Sequence, residues 1–254
     1  MLKRKTSACQ LLMGLAAASL LFTGCSFEKE AAYSSSAADE KAGAPLASLP
    51  EHHIFLYAGT NDTVRLQIED NEHEMSWIPT TPRGMMPELK VYDFDEDGKE
   101  ELAVILNVGS GTGISLYELH VVEYQSTGVH AGQELLDYIF AQEDYKRKLA
   151  KAIQFKKSIK NNELIGQIAL DGQTYEVNLG AYQKDYGEEK IGNQLGYGGI
   201  VRFEAVEQGL KIVVAVGLVI EGVAEPQYIG EVEAKVTYSP EGIFALGDFQ
   251  FRAV

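Results

Sequence analysis

The sequence predicts a mainly β protein, a β-rich α+β fold with antiparallel hairpins, a C-terminal β-meander and one or two helices near residues 133–153. Three observations lead to this class. Most apolar runs alternate with polar residues in steps of two, as half-buried strands do. Turn-forming residues separate these runs at short intervals. Only the segment Gln133 to Ile153 has apolar residues at helical spacing and contains neither Gly nor Pro.

The first strands are predicted as two hairpins. Ile54 to Ala58 and Thr63 to Ile68 flank Gly59-Thr60-Asn61-Asp62, whose residue types favour a turn. Leu89 to Tyr92 alternates in the same way. The run Glu101 to Val108 is largely apolar and partly β-branched, which is typical of a buried strand.

Further strands flank the helical segment. The stretch Gly109 to Gly113 precedes a long strand pattern, Ile114 to Tyr124, and we interpret it as a hairpin turn. A phosphate loop would need a following Lys-Ser/Thr and a helix, and neither is present. Downstream, Ile168 to Leu179 carries Asp171-Gly172 between two alternating runs, which indicates a hairpin.

The C-terminal part predicts a β-meander. Its four strand patterns are Gly199 to Val206, Leu210 to Ile220, Tyr228 to Tyr238, and Ile243 to Phe251. In the third, every second residue from Val232 to Tyr238 is apolar and the residues between are polar, so one face is buried. The stretch Ile212 to Ile220 is apolar on both faces, which predicts a central strand.

The most specific motif is the acidic loop Asp93-Phe94-Asp95-Glu96-Asp97-Gly98-Lys99-Glu100-Glu101, with carboxylates at positions 1, 3, 5 and 9 and glycine at position 6. This is how a short loop gathers oxygens around calcium, because the glycine permits a sharp bend. The predicted ligands are the carboxylates of Asp93, Asp95 and Asp97, the backbone carbonyl of Lys99, and Glu101 directly or through water. A solvated acidic turn without metal is the alternative.

The loop begins like an EF-hand but ends differently. Position 12, where an EF-hand has a bidentate glutamate in a helix, is Val104 in a predicted strand. The segment Val91 to Leu106 resembles the calcium-binding hairpin of FG-GAP/VCBS repeats, an integrin-type motif, and this resemblance implies a calcium-loop hairpin at 89–108. The motif occurs once, so a multi-bladed propeller does not follow. The order of the later elements also resembles a group of uncharacterised cell-surface proteins, for which no activity is implied.

The N-terminus has the pattern of an export signal. A basic start, Lys3-Arg4-Lys5, precedes the apolar run Ala8 to Phe22, which is too short for a comfortable membrane span. The run ends in Leu21-Phe22-Thr23-Gly24-Cys25, which resembles a bacterial lipoprotein signal, with Phe22 where leucine is more usual. The resemblance implies that residues 1–24 are removed, and that Cys25 carries a diacylglyceryl group and anchors the chain in the cell membrane, on its extracytoplasmic face. An ordinary cleaved signal or an uncleaved anchor is the alternative.

Cysteine content limits the disulfides that the folded part can form, and net charge limits the kinds of partner that it can bind. Cys9 lies in the predicted signal, and Cys25 is the only other cysteine, so no disulfide is expected in the folded part. Removal of the signal takes away three of the 22 basic residues and leaves 19 against 37 acidic ones, a net charge of −18. Such a surface argues against nucleic acid as a partner.

Residues 25–50 are predicted to form a flexible tether, because they contain few large apolar groups. As a flexible coil the tether would span roughly 25–30 Å, enough to lift the domain from the lipid headgroups. Residues 51–254 then form a single β-rich domain.

Other candidate sites are weaker. His52-His53 lacks further ligands at zinc spacing, and Glu118 with Glu123 is one of many acidic pairs that could serve as acid and base. The remaining histidines are scattered, at His73, His120 and His130. Trp77, Tyr92, Tyr117 and Tyr124 could form a sugar-stacking platform, although core packing is the favoured interpretation.

The sequence therefore predicts a membrane-anchored, extracytoplasmic calcium-binding lipoprotein that acts as a non-catalytic surface binding or structural module. Its partner would be a cell-surface protein or a glycan. The alternative is a hydrolase acting on cell-wall or extracellular carbohydrate. Two carboxylates of raised pKa in one pocket would favour the enzyme, whereas an exposed aromatic or apolar patch would favour binding.

Overall fold

The structure is a computed structural model that describes residues 43–60, 63–124 and 135–254. Strands account for 60% of the described residues and helices for 13%, which confirms the mainly β class. The predicted signal, the lipidation residue Cys25, most of the predicted tether and His130 lie outside the described residues.

The first sheet has four antiparallel strands in sequential order: β1 (Ala47–Leu49), β2 (Ile54–Ala58), β3 (Val64–Ile68) and β4 (Asn71–Met75). Strand β1 belongs to the stretch predicted as tether, so the folded region begins before Glu51. It forms because Ala47 pairs with Leu56 while Leu46 and Leu49 pack against a core. The sequence does not predict this strand, because a segment of three residues is too short to show the alternation of polar and apolar side chains.

A second sheet carries most of the chain. Its strands are β5 (Glu88–Tyr92), β6 (Glu101–Gly111), β7 (Ile114–Glu123), β8 (Leu136–Ile139), β12 (Ile191–Val206), β13 (Gly209–Ile220), β14 (Gln227–Tyr238) and β15 (Phe244–Ala253). The order is β15-β14-β13-β12-β7-β6-β5, and β8 pairs with the free part of β7. Every pairing is antiparallel except that of β7 with β12. The predicted meander and the central position of β13 are confirmed. The glycine-rich stretch also forms a hairpin, but β6 extends to Gly111, so the turn is Thr112-Gly113 and not the whole of Gly109 to Gly113.

The three strands β9 (Gln154–Lys160), β10 (Glu163–Leu170) and β11 (Gln173–Asn178) form a third, antiparallel sheet. The turn between β10 and β11 is the predicted Asp171-Gly172 pair. Both residues have positive φ, 51° and 74°, as a two-residue hairpin turn of type I′ requires. The predicted hairpin is therefore confirmed.

The helices differ from the prediction in extent and position. Helix α1 spans Gln142–Ala152 and buries Tyr145 and Leu149, but the preceding residues Leu136–Ile139 form strand β8 instead of the first helical turns. Pairing with β7 overrides the local helical spacing there. A second helix, α2 (Gly180–Tyr186), was not predicted because it has only seven residues and begins at a glycine.

Two hydrophobic cores share strand β6. Ala103 and Ile105 face the larger core, which β7, α1, β10 and β12 to β15 also line. Leu102, Val104 and Leu106 face the smaller core, together with side chains from β2, β3 and β7 and with Trp77. Each fully buried Leu or Val contributes about 1.5–3 kcal/mol. Strand β6 is therefore apolar on both faces because it is a wall common to both cores.

Candidate metal centre

The acidic loop connects β5 to β6. The register of this hairpin pairs Tyr92 with Glu101, so the first residue of β6 returns beside the start of the loop. Phe94 fixes the loop to the body of the domain, because its ring packs against the larger core and lies 5.5 Å from that of Tyr92. The predicted hairpin therefore forms as a strand-loop-strand unit, with the acidic loop between β5 and β6.

Backbone amides of the loop hold the aspartate side chains. The amide of Asp97 donates to Asp93 Oδ1 at 3.1 Å and to Asp95 Oδ1 at 3.0 Å, and the amide of Gly98 donates to Asp93 Oδ2 at 3.0 Å. The chain turns here through positive φ at Glu96, 62°, and Gly98, 88°. Glycine reaches such a φ without the steric cost that a side chain brings, which explains its place at position 6.

The four side chains predicted as carboxylate ligands come together. One carboxylate oxygen from each of Asp93, Asp95, Asp97 and Glu101 lies within 4.8 Å of the others. Ligands on opposite sides of a calcium ion lie about 4.6–5.2 Å apart, because each Ca–O distance is about 2.3–2.6 Å. The spacing of the oxygens is therefore compatible with one coordination sphere.

Glu101 is the least satisfied member of the group. Its side chain is fully buried, and its Oε2 accepts a hydrogen bond of 2.7 Å from the amide of Phe94. Its Oε1 is buried with no hydrogen-bond partner among the described residues. Burial, and then the charges of Asp95, Glu123 and Asp93, raise the pKa of Glu101 to about 7. An unpaired buried oxygen costs about 1–3 kcal/mol, which a bound cation would offset.

Lys99, whose backbone carbonyl is the fifth predicted ligand, also contacts Asp97 through its ammonium and its amide. Its ammonium lies 3.1 Å from Asp97 Oδ2 and its amide donates to Asp97 Oδ1 at 2.8 Å. The hydrogen bond from the Lys99 side chain holds the pKa of Asp97 below its ordinary value. The ammonium lies on an exposed side chain and would have to move if Asp97 turned both oxygens to a cation.

Two residues near the loop were not singled out as parts of this site. Glu123 lies opposite Glu101 in the pairing of β6 with β7, and Tyr238 Oη donates to Glu123 Oε1 at 2.7 Å. Counting along the predicted β6–β7 hairpin would have placed Glu123 near the loop. No sequence signal connects Tyr238, because it comes from a strand distant in the chain.

Among the described residues, the weaker histidine and glutamate candidates do not form a metal cluster, and two of the four candidate platform residues are buried. Within the described ranges, the acidic loop is the one cluster of three or more His, Asp or Glu side chains close enough to hold an ion. Trp77 and Tyr124 are buried in the smaller core, which supports their packing role. The same part of the chain contains no helix long and apolar enough to cross a membrane.

No family model matches this sequence, and neither a curated protein nor a solved structure is significantly similar to it. The resemblance of the loop to FG-GAP/VCBS hairpins therefore depends on the loop residues alone.

Proposed function

We propose that this chain is a membrane-anchored, extracytoplasmic calcium-binding lipoprotein, and that its domain is a non-catalytic surface binding or structural module. The observation that supports calcium is the buried, unpaired Oε1 of Glu101 within a group of three aspartates. In its ionised state this oxygen has no donor among the described residues, and a cation would supply the missing positive charge.

The ligand set favours calcium over softer metals. All four side chains offer carboxylate oxygens, and no histidine or cysteine belongs to the group. Hard cations prefer oxygen ligands, and calcium tolerates the irregular geometry of a flexible loop better than magnesium does. Extracellular calcium modules bind at about 10⁻⁴–10⁻³ M, which suits an exported protein.

The position of Glu101 indicates a structural role for the ion. Glu101 is the first residue of β6, the wall shared by the two cores. Cation binding would remove the repulsion between Glu101 and the aspartates just where β6 leaves the loop. We therefore propose that calcium strengthens the pairing of β5 with β6 and presents a rigid domain to a cell-surface protein or glycan.

Calorimetry on the chain without its predicted signal tests this proposal. Calcium should bind at one site, and magnesium should bind more weakly because it requires a tighter octahedron. Asp95→Asn should weaken calcium binding about tenfold or more, since a charged ligand is lost. Glu100→Gln is the matched control, because this exposed residue lies in the same loop but outside the group. Equal calcium binding by wild type and Asp95→Asn would reject the site.

A further inference from the structure

A second polar cluster lies in a cleft beside Trp77, a residue of the smaller core. The cleft has a volume of about 510 Å³ and lies between the segment after β4 and strands β7 and β8. Its walls include Trp77 and Ile78 from that segment and Ile139 from β8. The titratable groups are Glu118, His120 and Asp137, the hydroxyls of Ser76 and Thr80 also line the walls, and we call the whole feature the His120 cleft.

Hydrogen bonds fix the orientation of the His120 ring. Its Nδ1 lies 3.0 and 3.1 Å from the two oxygens of Asp137, and the indole nitrogen of Trp77 donates to Asp137 Oδ2 at 2.7 Å. Because a carboxylate only accepts, Nδ1 carries a proton. The second ring nitrogen, Nε2, therefore has a free lone pair when the imidazole is neutral.

This second nitrogen is buried and lacks a hydrogen bond. His120 is only 4% exposed, and its Nε2 has no hydrogen-bond partner in the described parts of the chain. The nearest charged atom is Glu118 Oε2 at 3.7 Å, too far for a hydrogen bond. When His120 is neutral, its Nε2 is therefore a hydrogen-bond acceptor that lies beside a second acceptor, Glu118 Oε2. A cationic donor between them would hydrogen-bond to both.

The charge of the cleft favours a cation. Two carboxylates and one imidazole are its titratable groups, and no Lys or Arg is found among its described lining residues. Asp137 already accepts bonds from Trp77 and His120, so Glu118 is the carboxylate with free acceptor capacity. Above these groups, Ile78 is 61% and Ile139 is 45% exposed, which leaves apolar surface for the body of a ligand.

We propose that the His120 cleft binds a small organic cation, a primary ammonium carried on an apolar body. The ammonium donates to His120 Nε2 and Glu118 Oε2, and the body covers Ile78 and Ile139. This site is separate from the acidic loop and does not depend on calcium. No covalent step is involved.

A proton competes with the ligand for the same position. Burial opposes protonation of His120, but the hydrogen bond to Asp137 and the negative charges of Asp137 and Glu118 outweigh it and hold the pKa of His120 above its ordinary value. Binding of the ammonium requires the neutral ring. Affinity should therefore increase as the pH rises from about 6 to about 8.5, while an alkylammonium with a pKa of about 10.4 stays charged.

Tryptophan fluorescence reports on this cleft specifically, because Trp77 is the only tryptophan of the chain and lies in the cleft wall. The chain without its predicted signal is titrated with n-hexylammonium, 1-hexanol and hexanoate, three probes with the same alkyl tail. Fluorescence and calorimetry are both recorded, so that a spectroscopically silent complex is also detected. Hexylammonium should bind saturably, hexanol about tenfold more weakly, and hexanoate not at all.

Two matched variants complete the experiment. Glu118→Gln should remove the preference for hexylammonium over hexanol, because the charged acceptor is lost. Glu221→Gln makes the same change at an exposed turn outside the cleft and should bind like wild type. Equal binding of the three probes, unchanged selectivity in Glu118→Gln, tighter binding at low pH, or no binding by either method would each overturn the proposal.

Discussion

Glu101 and Glu123 lie directly opposite each other across strands β6 and β7, but within the described part of the chain only Glu123 has a side-chain donor. Tyr238 donates to Glu123, whereas Oε1 of Glu101, which is grouped with the three aspartates of the loop, has no hydrogen-bond partner among the described residues. Like charges opposite one another weaken a strand pair. The pairing of strands at the start of β6 therefore depends most on a cation or proton that neutralises the carboxylates of the loop.

Calcium is expected to stabilise the domain. At a calcium concentration ten times the dissociation constant, linkage adds about 1.4 kcal/mol to the free energy of unfolding. For a domain of this size the melting temperature should rise by about 3–6 °C. Thermal unfolding in chelator and in calcium measures the shift. Asp95→Asn should lose the shift and Glu100→Gln should keep it, whereas identical melting of wild type in both buffers would identify the loop as an ordinary acidic turn.

Stability without calcium should depend on the protonation of Glu101. Its folded pKa of about 7 is above its ordinary 4.5, so the folded state holds this proton more tightly than the unfolded chain. The contribution is fully present below about pH 4.5 and is lost as the pH rises to about 7, which amounts to about 3 kcal/mol. Denaturant unfolding in chelator should show Glu101→Gln gaining this amount relative to wild type over that range. A constant difference between the two proteins would contradict the assignment.

Tyr238→Phe should destabilise the domain by about 1.5–3 kcal/mol, because Glu123 loses its hydroxyl donor. Urea unfolding measures the change. Tyr175→Phe is the control: its hydroxyl bonds only to the exposed Gln173, and its loss should change stability by less than about 0.5 kcal/mol. Equal effects of the two substitutions would show that the Tyr238–Glu123 hydrogen bond contributes no more to stability than an exposed hydrogen bond does.

Strand β1 should contribute to stability although it belongs to the stretch predicted as tether. A chain that begins at Gly43 should unfold at the same urea concentration as one that begins at Ser26. A chain that begins at Glu51 loses Leu46 and Leu49 from the smaller core and should be less stable by about 2 kcal/mol. Equal midpoints for all three chains would show that β1 is dispensable.

Cys25 is expected to carry the lipid. Cells that express Cys25→Ser should release the protein from the membrane fraction, and a fatty-acid probe should no longer label it. Cys9→Ser should remain labelled, since Cys9 lies in the predicted signal, which is expected to be removed. Undiminished labelling of Cys25→Ser would leave the lipoprotein hypothesis without support.

The features predicted correctly are those that local residues determine. The Asp171-Gly172 turn, the alternation in β14 and the doubly apolar β13 each follow from neighbouring side chains. The three aspartates and Glu101 lie within one loop, so their proximity could also be predicted.

The features missed depend on partners distant in sequence. Leu136 and Ile139 are three residues apart, which imitates a helix, and only pairing with β7 makes this segment a strand. Tyr238 joins the surroundings of the loop through the order of the sheet. His120 and Asp137 are brought together in the same way, by the pairing of β7 with β8.

The shared strand β6 affects how a protease would cleave the protein. A protease cleaves a chain that opens locally, and opening is easiest where a segment has few partners. Strand β6 cannot leave the smaller core without also withdrawing Ala103 and Ile105 from the larger one. Its backbone should therefore become accessible only when both cores open together, so that a nick within β6 would report global unfolding.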